Sequence, residues 1–147
     1  MFEGFEARHL AATGADIYLR IGGGGPPVLL LHGYPQTHVC WHHVAPALAE
    51  DFTVVVADLR GYGDSSCPDA GDDFSGYAKR TMAADMVGVM MVLGFERFAL
   101  IGHDRGARVT YRMALDHPEV VTRMMSLDVV PTLDMWQGTD KTRAIGA

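Results

Sequence analysis

The sequence lacks most features that would place a protein outside the ordinary globular class. It holds only two cysteines, Cys40 and Cys67, so no disulfide framework is available and reduced thiols are the simpler reading. No apolar run approaches the roughly 20 residues needed to cross a bilayer. The opening stretch MFEGFEARHL has two acids and no apolar segment, so it is not expected to act as a secretory signal. Positive charge is scarce: 12 Lys and Arg against 18 Asp and Glu leave a net charge of −6, which argues against general affinity for nucleic-acid phosphates. Internal repeats, low-complexity tracts and a clear domain boundary are also missing. What remains is a chain of 147 residues, 48% apolar and 20% charged, the size and mixture of one soluble domain. A cytoplasmic location, with no membrane and no nucleic-acid partner, is the expectation.

The hydrophobic pattern alternates between two periods. Residues 1–20 read as two short antiparallel strands with a turn at Thr13-Gly14. Gly22 to Pro27 is a glycine-and-proline connector; phosphate binding would require a helix directly after it, and a strand follows instead. Val28 to Leu31, Phe52 to Leu59, Phe98 to Gly102 and Val121 to Val130 read as buried strands. Helices are expected over His38 to Ala49, Tyr77 to Leu93 (with Gly94 at its end) and Arg105 to Asp116. The Met82, Met86, Met90 stripe is read as core packing. Strand and helix in alternation predict an α/β fold, a mostly parallel sheet with helices on both faces.

The chemistry concentrates in the turn after the Phe98 strand, Gly102-His103-Asp104-Arg105-Gly106. Gly-x-nucleophile-x-Gly between a buried strand and a helix makes a tight elbow that exposes its central residue at the helix N-terminus. A lone aspartate there could merely cap the helix; the flanking glycines and the strand before them favour the elbow. A carboxylate nucleophile displaces a leaving group from saturated carbon and leaves an ester that water can cleave. That chemistry suits haloalkanes, haloacids and epoxides. His32-Gly33-Tyr34-Pro35 ends an earlier strand, so the backbone N–H groups of Tyr34 and Arg105 are the expected oxyanion hole. Asp128 ends the next strand at the same sheet edge and could orient a histidine. Asp58 to Ser65 is read as a structural turn; Gly61 and Gly63 make only a weak dinucleotide-type match.

Arg105 and Arg108 lie in the first turn of a helix, where positive side chains oppose the helix dipole. The pair is suited to clamp a carboxylate by charge-assisted hydrogen bonds. His38 and His42, four residues apart, are not read as a metal site, because no glutamate follows the first. His103 is read as structural. No metal and no cofactor are expected.

The stretches HGYPQ, DLRGYGDSS and GHDRGARV resemble the haloacetate (fluoroacetate) dehalogenases of the α/β-hydrolase superfamily. The likeness runs from about residue 3 to residue 147, and the arginine after the nucleophile is its most discriminating part. Haloalkane dehalogenases and many epoxide hydrolases resemble the chain in HGxP and in the aspartate, but commonly place tryptophan where Arg105 stands. The resemblance implies an α/β-hydrolase fold with Asp104 as nucleophile, Asp128 as the acid of the triad, and Arg105 with Arg108 as the carboxylate anchor. The substrate it implies is a small haloacid, released as a hydroxy acid and halide.

Such an enzyme also needs a late histidine and a helical cap that follows Asp128. The last histidine here is His117, at the expected end of the nucleophile helix. The expectation is therefore an N-terminal half, truncated before the cap and the catalytic histidine: residues 1–130 in the core domain and 131–147 starting the connection into the cap. A homodimer is one expectation for a full-length form. Two alternatives stand beside the dehalogenase: an epoxide hydrolase or haloalkane-dehalogenase-like enzyme, and a non-catalytic truncated product or partner-binding half.

Overall fold

A computed structural model describes residues 1–138. Six strands form one sheet in the order β1-β2-β4-β3-β5-β6. They are β1 (Glu6–Ala11), β2 (Asp16–Gly23), β3 (Pro27–Leu31), β4 (Thr53–Ala57), β5 (Phe98–His103) and β6 (Val121–Leu127). The pairs β1/β2 and β2/β4 are antiparallel; β4, β3, β5 and β6 run parallel. The helices are α1 (Val44–Leu48), α2 (Lys79–Val92), α3 (Arg105–Asp116) and α4 (Thr132–Gln137). Of the expected 131–147 connection, residues 131–138 with α4 are described, and 139–147 lie outside the described residues.

The continuous apolar runs of β3 and β4 follow from the strand period of two. Leu29, Leu31, Val55 and Ala57 face a core closed by Met82, Met86 and Met90 of α2 and by Val109 and Met113 of α3. Val28, Leu30, Val54 and Val56 face the opposite core, closed by Phe2, Trp41 and Ala45. Every position from Val28 to Leu31 and from Val54 to Ala57 is therefore buried, and each buried Leu or Val side chain contributes roughly 1.5–3 kcal/mol.

Three expectations are corrected. The single helix over His38 to Ala49 is two pieces, a 3₁₀ turn at His38–Trp41 and the short α1. Asp58, fully buried, captures the His38 backbone N–H at 2.6 Å and lies 3.0 Å from its ring nitrogen, which pins the start of the segment to the end of β4. The glycine connector is shorter than expected, because Gly22 and Gly23 belong to β2 and Pro27 to β3. A Cβ on Gly23 would collide with the backbone oxygens of Ala49 and Phe52, so close approach of the chain explains that glycine. The strand at Val121 is not buried: β6 is the outer strand and six of its seven residues are exposed. It borders an open apolar groove of about 350 Å³ lined by Val28, Phe52, Ile101, Met124 and Met125.

The Asp58–Ser65 turn is a knot of buried polar groups. Asp58 accepts from the Asp64 N–H at 3.0 Å, and the Ser65 hydroxyl donates to the Asp58 carbonyl at 2.8 Å. Arg60, buried, donates to both oxygens of buried Asp85 at 2.6 Å each, and to the carbonyls of Gly76 (2.7 Å) and Thr13 (3.1 Å). One guanidinium thus ties the 60–77 loop, the β1/β2 turn and α2 together.

Candidate active site

The site forms at the carboxyl edge of the parallel strands, where ligands bind in open α/β sheets. Asp104 directly follows β5 and has φ +49° and ψ −114°, a conformation sparsely populated by a non-glycine residue. Its flanking glycines answer to sterics. A Cβ on Gly102 would lie 2.7 Å from the Ala107 backbone, and one on Gly106 would lie 2.5 Å from the His32 carbonyl oxygen. Strand and helix can approach this closely only without those side chains.

The HGYP segment closes on the elbow from β3. The Tyr34 N–H donates to Asp104 Oδ1 at 2.8 Å. A Cβ on Gly33 would sit 2.5 Å from Asp104 Cβ, so any side chain at 33 displaces the carboxylate. Partial burial pushes the Asp104 carboxyl up. The N–H groups of Tyr34 and Arg105, aided by His103 and the Arg105 charge, more than offset this and hold it below the ordinary value of 3.8. It is therefore a carboxylate throughout the neutral range.

His32 anchors this segment from below. Fully buried, it pairs Nδ1 with the Gly33 carbonyl at 2.9 Å while Nε2 accepts the Leu59 N–H at 3.1 Å, an arrangement for the neutral ring. Burial depresses its pKa below 6.5 with help from His38, against the Gly33 carbonyl and Asp58. A depressed base favours folding in its neutral form. That contribution is complete above about pH 6.5 and is lost as the pH falls from there through the lower folded value. Denaturant midpoints measured between about pH 5 and 8 should drop on the acid side. His32→Gln should flatten that part of the profile.

Asp128 is the first residue after β6, and its backbone is also at φ +49°. The last register pair of β5 and β6 is His103↔Leu127, so Asp104 and Asp128 leave adjacent strands side by side. The Asp128 side chain is 93% exposed, with His103 Nε2 at 3.9 Å. His103 gives its Nδ1 to Gln36 Oε1 at 2.9 Å, and the Gly33 N–H reaches the same oxygen at 3.3 Å. His103 thus bridges Gln36 and the mouth, and no histidine side chain hydrogen-bonds Asp104 among the described residues.

Arg105 is exposed. Its Nη1 donates to the Tyr62 hydroxyl at 3.3 Å, and its guanidinium lies 4.5 Å from the Tyr34 ring centre. Tyr62 in turn packs edge-on against His32. Arg108 Nη2 approaches Met135 Sδ of α4 at 3.2 Å, and its buried Nε has no hydrogen-bond partner. α4 is held to α3 by the Tyr111 hydroxyl donating to Thr132 Oγ1 at 2.9 Å. Neither arginine forms an ion pair with a carboxylate among the described residues. The geometry brings Asp104, Tyr34 and Arg105 together at one mouth with Asp128 beside it, while Arg108, one turn along α3, lies against α4.

Sequence reasoning missed two residues here, Gln36 and Tyr62. Both lie inside motifs already singled out, HGYPQ and DLRGYGDSS. His38 and His42 are turned to different partners, Asp58 and the Val39 carbonyl.

A mostly parallel sheet with an aspartate at a strained strand-to-helix elbow and a backbone amide aimed at its carboxylate defines an α/β hydrolase. Residues 26–145 match the family model described as alpha/beta hydrolase fold, and the chain belongs to that family. It is 51% identical over 141 residues to a fluoroacetate dehalogenase of Burkholderia sp, covering 96% of this chain and 46% of that protein. It is 45% identical over 121 residues to a soluble epoxide hydrolase of Corynebacterium sp. (strain C12), covering 82% of this chain and 41% of that protein. Among solved structures, a candidate alpha/beta hydrolase from Nostoc sp PCC 7120 is similar at 54% identity and TM-score 0.96, over 99% of this chain and 50% of that one. The chain spans about half the length of the curated relatives it matches.

Proposed function

We propose that this chain carries the nucleophile and the substrate-carboxylate anchor of a hydrolase that removes halide from a short 2-haloacid. The observation that carries the reading is an ionised aspartate at the elbow beside Arg105, with Arg108 one turn along the same helix, neither arginine paired with a carboxylate of the described residues. In the first step the free oxygen of Asp104 attacks C2 of the haloacid, the carbon–halogen bond breaks, and its electron pair leaves on the halide. The product is an ester of Asp104. In the second step water adds to the ester's carboxyl carbon. Oδ1, already held by the Tyr34 N–H, carries the developing negative charge, with the Arg105 N–H as second donor. Collapse regenerates the carboxylate and releases a 2-hydroxy acid; the proton from water passes to a basic imidazole that Asp128 would orient. Arg105 and Arg108 take the substrate carboxylate, and the halide leaves toward the solvent-facing mouth.

Epoxide opening by the same aspartate is the second reading, favoured by the 45% identity to an epoxide hydrolase. The arginines separate the two, since a neutral epoxide gives them nothing to neutralise. Incubating the protein with chloroacetate and, separately, with styrene oxide tests the choice by intact mass. Adduct from the acid supports the dehalogenase reading; adduct from the epoxide alone supports the second and removes the first.

A further inference from the structure

Arg105 opens α3 against the helix dipole, is exposed, and forms no ion pair with a carboxylate among the described residues. An unsupported arginine in that place samples many rotamers and must give them up to grip a carboxylate. Two tyrosines, one after β3 and one after β4, restrict it instead. The Tyr62 hydroxyl accepts one guanidinium N–H at 3.3 Å, and the guanidinium lies over the Tyr34 ring, 4.5 Å from its centre.

Tyr62 is fixed more firmly than the arginine it holds. Its backbone N–H donates to the Leu59 carbonyl at 3.0 Å, and its own carbonyl accepts the Ser65 N–H at 3.1 Å, which closes the turn around it. Its half-buried ring packs against the core that α2 and α3 close, and edge-on against His32 with the ring centres 5.1 Å apart. His32 is itself fully buried and hydrogen-bonded through both ring nitrogens. The phenol therefore stands on the same support as the segment that brings the Tyr34 N–H to Asp104.

The chemistry of the support matters as much as its position. A carboxylate in place of the phenol would hold Arg105 more tightly, but it would cancel the charge and compete with an incoming anion. A neutral hydroxyl holds the group and leaves its charge for a ligand. A guanidinium has five N–H donors; Tyr62 takes one and the face of Tyr34 takes none, so enough remain for a bidentate carboxylate.

We infer that Tyr62 is a positioning residue for the substrate carboxylate, holding the Arg105 guanidinium, with the Tyr34 ring as second support, where the anion is received. The inference rests on the proposed haloacid reading and extends it. Tyr62 acts through Arg105 and takes no part in bond making.

Acetate, the unreactive counterpart of a haloacetate, is titrated into the 147-residue chain at fixed ionic strength and followed by NMR. Adduct formation on Asp104 is timed with chloroacetate and with its neutral counterpart chloroacetamide. Tyr62→Phe removes the hydroxyl and keeps the ring against His32. It should weaken acetate binding roughly three- to tenfold and slow the chloroacetate adduct by a similar factor, while the chloroacetamide adduct forms at the parent rate. Unchanged acetate affinity overturns the inference, and so does equal slowing of both reagents, which is what a loosened structure would produce. In an Arg105→Gln background, Tyr62→Phe should slow the chloroacetate adduct no further; a further loss overturns the coupling through Arg105. The parent protein supplies a readout that needs no variant: its Tyr62 ring signals should shift as acetate binds, and silent signals overturn the inference. If Arg105→Gln weakens acetate binding and Tyr62→Phe does not, only the role of the tyrosine falls. If Arg105→Gln leaves acetate binding unchanged, the carboxylate site itself falls.

Discussion

Asp104→Asn is expected to abolish covalent adduct formation with a 2-haloacid, lowering the alkylation rate by about 10³-fold or more. The side chain keeps its volume, and the amide oxygen can still accept the Tyr34 N–H that Oδ1 accepts now. Asparagine also tolerates the positive φ of this position as well as aspartate does. What disappears is the anionic oxygen, since a neutral amide is a poor nucleophile toward saturated carbon. Stability should therefore stay within about 0.5 kcal/mol of the parent. Intact mass spectrometry after incubation with chloroacetate reads the chemistry, and a denaturant titration reads the fold. A variant that is folded and still acquires the adduct removes Asp104 from its role.

Asp85→Ala is expected to have the largest effect on stability, costing about 3–5 kcal/mol and lowering the denaturation midpoint accordingly. The reason is Arg60, whose guanidinium is buried and makes two 2.6 Å bonds to the Asp85 carboxylate. Removing the acid leaves a buried positive charge with only two carbonyl oxygens around it. Replacing both partners, Arg60→Met with Asp85→Leu, should recover part of the loss, because the isolated charge is gone. Full recovery is not expected, since the carbonyls of Gly76 and Thr13 then lose their donor at roughly 1–3 kcal/mol each if they stay buried. A double variant less stable than Asp85→Ala would contradict this account of the ion pair.

The fold was legible wherever local pattern and tertiary environment agree. The runs Val28–Leu31 of β3 and Val54–Ala57 of β4 are apolar at every position because each face of the sheet has its own core, and such a run has one simple reading. The elbow was legible because close strand–helix contact requires glycine at both Gly102 and Gly106. The start of the His38–Trp41 turn was not, because its first backbone N–H is held by Asp58, twenty residues away. The exposure of β6 follows from its place at the outside of the sheet, and its Thr122, Arg123 and Ser126 were a signal of it that the sequence reading passed over.

At the site, residue types announced the charged groups, while contacts made over long sequence separations did not announce themselves. Gln36 joins the Gly33 amide to His103, and Tyr62 joins Arg105 to His32, links that only the folded sheet edge creates.

The central claim is that Asp104 forms an ester with a haloacid, and peptide mapping tests it most directly. The protein is incubated with chloroacetate, digested at acidic pH to preserve the ester, and each peptide is weighed and fragmented. The thiols are the competing nucleophiles, and burial together with Asp58 pushes the Cys40 thiol up to about 11, which leaves it protonated and slow. The account predicts a carboxymethyl adduct on the peptide containing Asp104, localised to that residue. An adduct confined to Cys40 or Cys67, or none on Asp104 while the protein is folded, would contradict it.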